Sequence, residues 1–193
     1  MLDFDSTKQN IRDDLVEKQR STGCEHYWAI NKNGTVYKKK GLPTSINPEP
    51  ALESAYADPT SHIVYHHSHP DERTLSLADL RSIGMVGSQE IWAHCVGGCS
   101  YGATLQQGVS RPSYQDTIDK INGTYQYEYI SFELPSVSAD DFYWFSHLAI
   151  NRALVKRGFI EFYCSMSPAF QAKASQAASS INLMEDWFYN LIK

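Results

Sequence analysis

A chain of 193 residues, 42% hydrophobic and 20% charged, carries enough apolar material for one sizeable core, which excludes a fully disordered polypeptide. Its formal net charge of −5 gives no overall attraction to nucleic acid or to an acidic membrane surface, and four irregularly spaced cysteines exclude a disulfide scaffold. No segment offers the roughly 18–20 consecutive apolar residues of a membrane span, and Met1-Leu2-Asp3-Phe4-Asp5 lacks an apolar leader, so a cytoplasmic protein is expected, with signal-free export as the alternative.

Taken in order, residues 5–21 read as a helix. Asp5 or Ser6 caps it, Ile11, Leu15 and Val16 form a thin apolar stripe, and Thr22-Gly23 ends it. Residues 25–30 read as a strand from their aromatic and β-branched content, Asn33-Gly34 as a tight turn, and Thr35-Val36-Tyr37 as the returning partner. Lys38-Lys39-Lys40, the only basic run, reads as a solvated hairpin edge. Pro43, Pro48, Pro50 and Pro59 make 41–61 a connection, interrupted by a short helix over 51–57. Residues 62–69 begin apolar and read as a buried strand, after which Ser76 opens a helix to about Gly84. Residues 90–96 and 100–105 form a second hairpin around Gly97-Gly98. A loop over 107–113, a short helix over 114–121 ending at Asn122-Gly123, and an aromatic-rich strand over 125–134 follow. Ser138 with Asp140 and Asp141 predicts a helix start, and Phe142, Phe145, Leu148, Ala149 and Leu154 recur at helical spacing up to Gly158. Residues 159–164 read as a strand and 168–191 as one final helix. This order predicts an α/β sandwich, a mixed sheet flanked by helices.

The densest chemistry lies in His66-His67-Ser68-His69-Pro70 and the Ser76-Leu77-Ala78-Asp79 that follows. Residues two apart on a strand share a face, so His67 and His69 aim at one point while His66 and Ser68 face away. Asp79 joins them if the loop after Pro70 folds back and presents the first turn of the next helix. Two imidazoles and a carboxylate suit Zn²⁺, and three protein ligands leave a fourth position open, as in catalytic sites. Such an ion lowers the pKa of its water from near 16 to roughly 7. A base must then hold the water without binding the metal. Glu25, opening the strand that would pair alongside, is chosen over Glu49 and Glu53 in the proline-punctuated connection, and Ser76 would donate to the oxyanion. Ser76-x-x-Asp79 is equally a plain helix start, with a capping hydroxyl and an acid in the first turn. Cys95-x-x-x-Cys99 beside His94 has zinc-like spacing but no second close pair, and reads as a buried hairpin.

His67-x-His69-Pro70 and Ser76-x-x-Asp79, with a glutamate on an upstream strand, resemble the signature of the JAMM (JAB1/MPN+) zinc metalloproteases. The layout is similar to the prokaryotic JAB and RadC-like branches over about residues 23–108, with five residues between Pro70 and Ser76, one fewer than is usual there. The resemblance implies a JAB1/MPN-like, deaminase-like three-layer α/β sandwich. It implies zinc on His67, His69 and Asp79, Glu25 as general acid/base and Ser76 at the oxyanion. It further implies hydrolysis of a peptide or isopeptide bond, typically at the tail of ubiquitin or a ubiquitin-like protein, and hence a protein or peptide substrate, with no nucleic acid and no membrane as partner. The alternatives are a non-catalytic JAB-fold binding or assembly module, or a peptidase of phage-tail or cell-wall peptides. On this reading residues 1–22 are an N-terminal helix, 23–110 the core, and 111–193 a C-terminal α/β extension packed on it in one compact domain.

Overall fold

The computed structural model describes residues 4–193, so the leader-free reading of residues 1–3 lies outside the described residues. In chain order the elements are α1 (Ser6–Thr22), β1 (His26–Ile30), β2 (Val36–Lys40), α2 (Pro50–Ala57), β3 (Ile63–His69), α3 (Leu77–Ile83), β4 (Ser88–Cys95), β5 (Ser100–Leu105), α4 (Arg111–Thr124), α5 (Tyr127–Glu133), α6 (Ala139–Lys156), β6 (Ile160–Ser165), α7 (Pro168–Gln176) and α8 (Ala178–Leu191). The strands form one mixed sheet in the order β2-β1-β3-β4-β5-β6. Only β3 and β4 run parallel; the other neighbours are antiparallel. A parallel pair needs a crossover, and α3 supplies it. The loop and helix start that carry Ser76 and Asp79 therefore leave from the end of β3 at His69.

Local chemistry accounts for the first elements. Asp5 caps α1 by accepting from the Thr7 and Lys8 backbone N–H groups, and Gly23 ends it at φ 66°, its N–H closing on the Gln19 carbonyl. Between β1 and β2, the Asn31 side chain accepts from the N–H groups of Asn33 and Thr35, and Gly34 takes φ 81°.

Alternation along β3 sorts its side chains into two layers. Ser68 faces α1, donating to Gln19 Oε1 (2.7 Å) and accepting from the His26 N–H (2.9 Å). His66, on the same face, stacks against Trp92, which Lys8 of α1 covers. Trp92 lies across Gly102, where a Cβ would come within 2.6 Å of the indole. Tyr65 and His67 face the other way, with Tyr27 and Tyr56 packed against Tyr65. That side is closed by the buried Leu52 of α2, Leu80 of α3 and Tyr114 of α4, with α6 reaching the loop after β3 through Asn151. Helices thus cover both faces of the sheet.

Three sequence readings are corrected. Residues 125–134 hold a helix, α5, where a strand is expected. Tyr127, Ile130 and Leu134 turn inward at helical spacing while Glu128, Tyr129, Phe132 and Glu133 are exposed, and Tyr127 packs on Phe142 of α6. The aromatic content reflects packing on a helix, and the 3–4 spacing was the truer signal. Next, α4 starts at Arg111 and passes through Asn122-Gly123 to Thr124, because Pro112 in a first helical turn removes an N–H that has no partner there anyway. Last, 168–191 is two helices: at Ala177 the backbone leaves α-helical dihedrals (φ −91°, ψ 13°), and α8 then packs against α6. The strand expected near 159–164 is β6, which pairs with β5 and completes the sheet edge.

Since Trp92 is fully buried and cannot swing aside, Gly102→Ala is expected to cost about 1–3 kcal/mol of unfolding free energy, the usual range for overpacking, as measured by urea denaturation.

Candidate metal centre

β1 pairs antiparallel with β3, placing Tyr27 opposite His67. Continued two residues, the same register sets Glu25 opposite His69, on the face His67 and His69 share. His67 Nε2 and His69 Nε2 lie 2.9 Å apart. Asp79 Oδ1 is 3.1 Å from His67 Nε2, and Asp79 Oδ2 is 3.5 Å from His69 Nε2. Donor atoms of the three residues fall within 4.8 Å of one another, the one group of three or more such residues found among the described residues. This N₂O set could hold a metal ion.

Each ligand is oriented by something behind it. His69 Nδ1 sits 3.0 Å from the Arg73 carbonyl, so the ring N–H donates there and the Nε2 lone pair is left for the cavity. Asp79 Oδ2 accepts from both the Ser76 backbone N–H and the Ser76 hydroxyl (2.8 Å each), while the Asp79 N–H donates to Ser76 Oγ (3.2 Å). This is a complete capping box on α3. It commits the Ser76 hydroxyl proton to Asp79. His67 Nδ1 is buried without a hydrogen bond, and the ring is set by packing against Tyr65 and, edge-on, His69.

The loop between Pro70 and Ser76 does fold back. Asp71 accepts from the Arg73 N–H (3.0 Å) and Nε (2.8 Å), Tyr101 Oη donates to the Glu72 carbonyl (2.9 Å), and Asn151 Nδ2 donates to the Leu75 carbonyl (3.1 Å).

Burial raises the Glu25 pKa, and the neighbouring His67 and His69 only partly offset this. For Asp79 burial also favours the neutral form, but the two imidazoles outweigh it and hold the carboxyl well below its usual range. His69 shows the reverse: burial disfavours its charge, yet Asp79 and the Arg73 carbonyl raise it to about 9. In the metal-free site the Asp79 carboxylate therefore favours the protonated form of His69. On the opposite face burial and Lys8 depress His66 to about 3. His66 Nδ1 lies 3.0 Å from His94 Nε2, and His94 Nδ1 lies 3.1 Å from Ser100 Oγ, so His66 turns away from the metal ligands as its place on the strand requires.

His67, His69, Asp79, Glu25 and Ser76 all line one cavity of about 400 Å³. Glu53 lines a neighbouring cavity instead, and Glu49 lines neither, so Glu25 is the glutamate of the three that the fold brings to the ligands. Sequence reasoning missed residues 44–48, Arg73 and His147, which complete the walls. His147 comes from α6, stacks on Tyr125 and is pushed down to about 4 by burial and by Arg73. No local pattern marks it, since only long-range packing brings it to the motif. Cys95 and Cys99 are buried free thiols; Cys95 Sγ donates to the Arg73 carbonyl and Cys99 Sγ to Ser167 Oγ (3.7 Å each), so they pack as the hairpin reading expects. Comparison with protein-family models, curated proteins and solved structures finds no match to this chain. Among the described residues no helix is long and apolar enough to cross a membrane.

The two histidines set opposite limits on metal-free stability. His69, raised to about 9 from 6.5, contributes stability that is fully present below pH 6.5 and lost as pH rises through 9. His66, lowered to about 3, contributes stability present above pH 6.5 and lost as pH falls toward 3. Unfolding free energies of the chelator-treated protein are expected to fall on both sides of neutrality, with His69→Gln flattening the alkaline limb and His66→Gln making shallower an acid limb to which Asp79 and His147 also contribute.

Proposed function

We propose that this chain is a zinc-dependent hydrolase of JAMM type, cleaving a peptide or isopeptide bond. One observation carries the reading: His67, His69 and Asp79 converge to within ligand-sharing distance in a cavity that Glu25 also lines. The donor set supports zinc, since imidazole and carboxylate together suit a borderline ion and three protein ligands leave room for water and substrate. When bound, the zinc would acidify a water and polarise the scissile carbonyl.

The chain's own residues supply the rest. Glu25, 7% exposed and with its pKa raised by burial, takes a proton from the attacking water and returns it to the leaving amine, as a carboxyl tuned toward the working pH can. Asp79 is held in place by Ser76 through the capping box. The Ser76 hydroxyl also lines the cavity and would donate to the oxygen of the attacked carbonyl by turning its proton from Asp79, leaving the Ser76 backbone N–H to hold the carboxylate. The JAMM resemblance supports the tail of ubiquitin or a ubiquitin-like protein as the acyl side of the bond. A non-catalytic JAB-fold module is the second reading, favoured by the commitment of the Ser76 hydroxyl to the helix cap.

Zinc titration and turnover separate the two. The wild-type chain is expected to bind one zinc and Asp79→Ala to lose it. Glu25→Gln is expected to keep the zinc while its hydrolysis of isopeptide-linked conjugates or quenched fluorescent peptides falls by about 10²–10⁴-fold, the usual contribution of a general acid/base. Zinc-loaded wild-type protein with no turnover beyond that of Glu25→Gln would favour the non-catalytic module.

A further inference from the structure

A second cavity, of about 520 Å³, opens beside the metal site. The two share Pro48, Tyr56, Ala78 and Ser82 in their walls, so they lie side by side. The partition between them is thin. Ala78 and Ser82 stand one helical turn apart on α3, both are small, and the Ser82 hydroxyl folds back to donate to the Ala78 carbonyl (3.1 Å). Ala78 is also the chain neighbour of Asp79, so the second cavity begins at the helical turn that carries a metal ligand.

The chemistry changes across that partition. On the metal side the walls carry imidazoles and carboxylates; on the far side they are Pro48, Tyr56, Leu77, Ala78 and Met85, with Glu53, Arg81, Ser82 and Asn122 around them. The Arg81 guanidinium is paired with Asp119 on the exposed surface, which offsets its positive charge. Met85 is 41% exposed, and an exposed methionine at a cavity wall offers a surface that adapts to apolar groups. The size lies within the range of about 300–1,000 Å³ typical of small-ligand sites.

We propose that this cavity is a specificity subsite for large apolar side chains on a peptide substrate whose scissile bond lies at the metal. The inference rests on the hydrolase reading and adds a substrate class to it. In an extended peptide, neighbouring side chains leave on opposite faces at a rise of about 3.3 Å per residue. A chain laid across both cavities with its carbonyl at the ligands can therefore lower one nearby side chain into the second cavity, on the far side of Ala78 and Ser82. Glu53 at the cavity disfavours an acidic side chain in that place.

The test does not depend on zinc or on turnover. The methyl groups of the chain's four methionines are ¹³C-labelled, and the Met85 signal is assigned by its loss in Met85→Leu. The capped tripeptides acetyl-Gly-Leu-Gly-amide and acetyl-Gly-Gly-Gly-amide are then titrated in separately. The leucine peptide is expected to shift the Met85 methyl saturably and to bind about tenfold or more tightly than the glycine peptide, the order expected for burying a leucine side chain. Met85→Asp is expected to abolish that preference in a binding assay. Equal effects of the two peptides, or no shift from either, would overturn the subsite whatever the zinc-loaded chain hydrolyses. A leucine-selective shift in a protein that hydrolyses nothing would support the apolar subsite and count against the hydrolase reading alone.

Discussion

Asp79 divides its carboxylate between two tasks. Oδ2 accepts from the Ser76 backbone and hydroxyl to start α3, and Oδ1 faces His67 Nε2 at 3.1 Å. The helix cap and the ligand position are therefore a single arrangement. A buried carboxylate is costly unless compensated, and two compensations are available here: the proton on His69 in the metal-free protein, or a divalent cation at the same point. Because the cap already holds the carboxylate, the site does not have to be assembled around an incoming ion. The crossover between β3 and β4 is what puts this helix start at the end of the histidine strand. Were β3 and β4 joined by a hairpin, no helix start would meet His69.

The same strand shows how position controls identical side chains. His66 and His69 are three residues apart in one chemical sequence, yet one is driven to about 3 and the other to about 9. Both are buried. The difference is what each face offers: Lys8 from α1 against His66, Asp79 from α3 against His69. The α1 face consequently holds its histidine neutral among stacked rings, with Trp92 and Tyr163 in contact, whereas the α3 face keeps charge in a cavity. A strand with period-two alternation separates a stacking layer from a reactive one without any residue lying between them.

Much of this was legible because it is local. The two faces of β3, the helix start at Ser76, and the stop at Gly23 each follow from a few adjacent residues and one geometric rule. Glu25 was less local, forty-odd residues from the histidines: the turn at Asn33-Gly34 pairs its strand only with β2, and its place beside β3 was expected from the family resemblance, not from any local signal, before the antiparallel register set it opposite His69. The failures lie where composition was weighed above spacing, or where no local signal exists. At 125–134 the tyrosines and isoleucine suggested a strand, although Tyr127, Ile130 and Leu134 already had helical spacing. His147 and residues 44–48 reach the cavity through tertiary packing, and nothing in their own neighbourhoods announces it.

That last point bears on how far the recognisable segment stands alone. The resemblance to that family spans residues up to about 108, yet the loop that delivers Asp79 is held from beyond it. Asn151 of α6 donates to the Leu75 carbonyl, and Arg73 lies against the Tyr143 ring, its Cζ 4.4 Å from the centroid. The loop is one residue shorter than is usual in the family it resembles, so it has less slack with which to find the position of Ser76. Here the slack is replaced by clamps: Asp71 on Arg73, Tyr101 on Glu72, Asn151 on Leu75. His147 on the same α6 helix then closes the cavity beside the ligands. The C-terminal third is thus part of the site's support, and residues 23–108 taken by themselves would keep the three ligands while losing one of the clamps that aim the third.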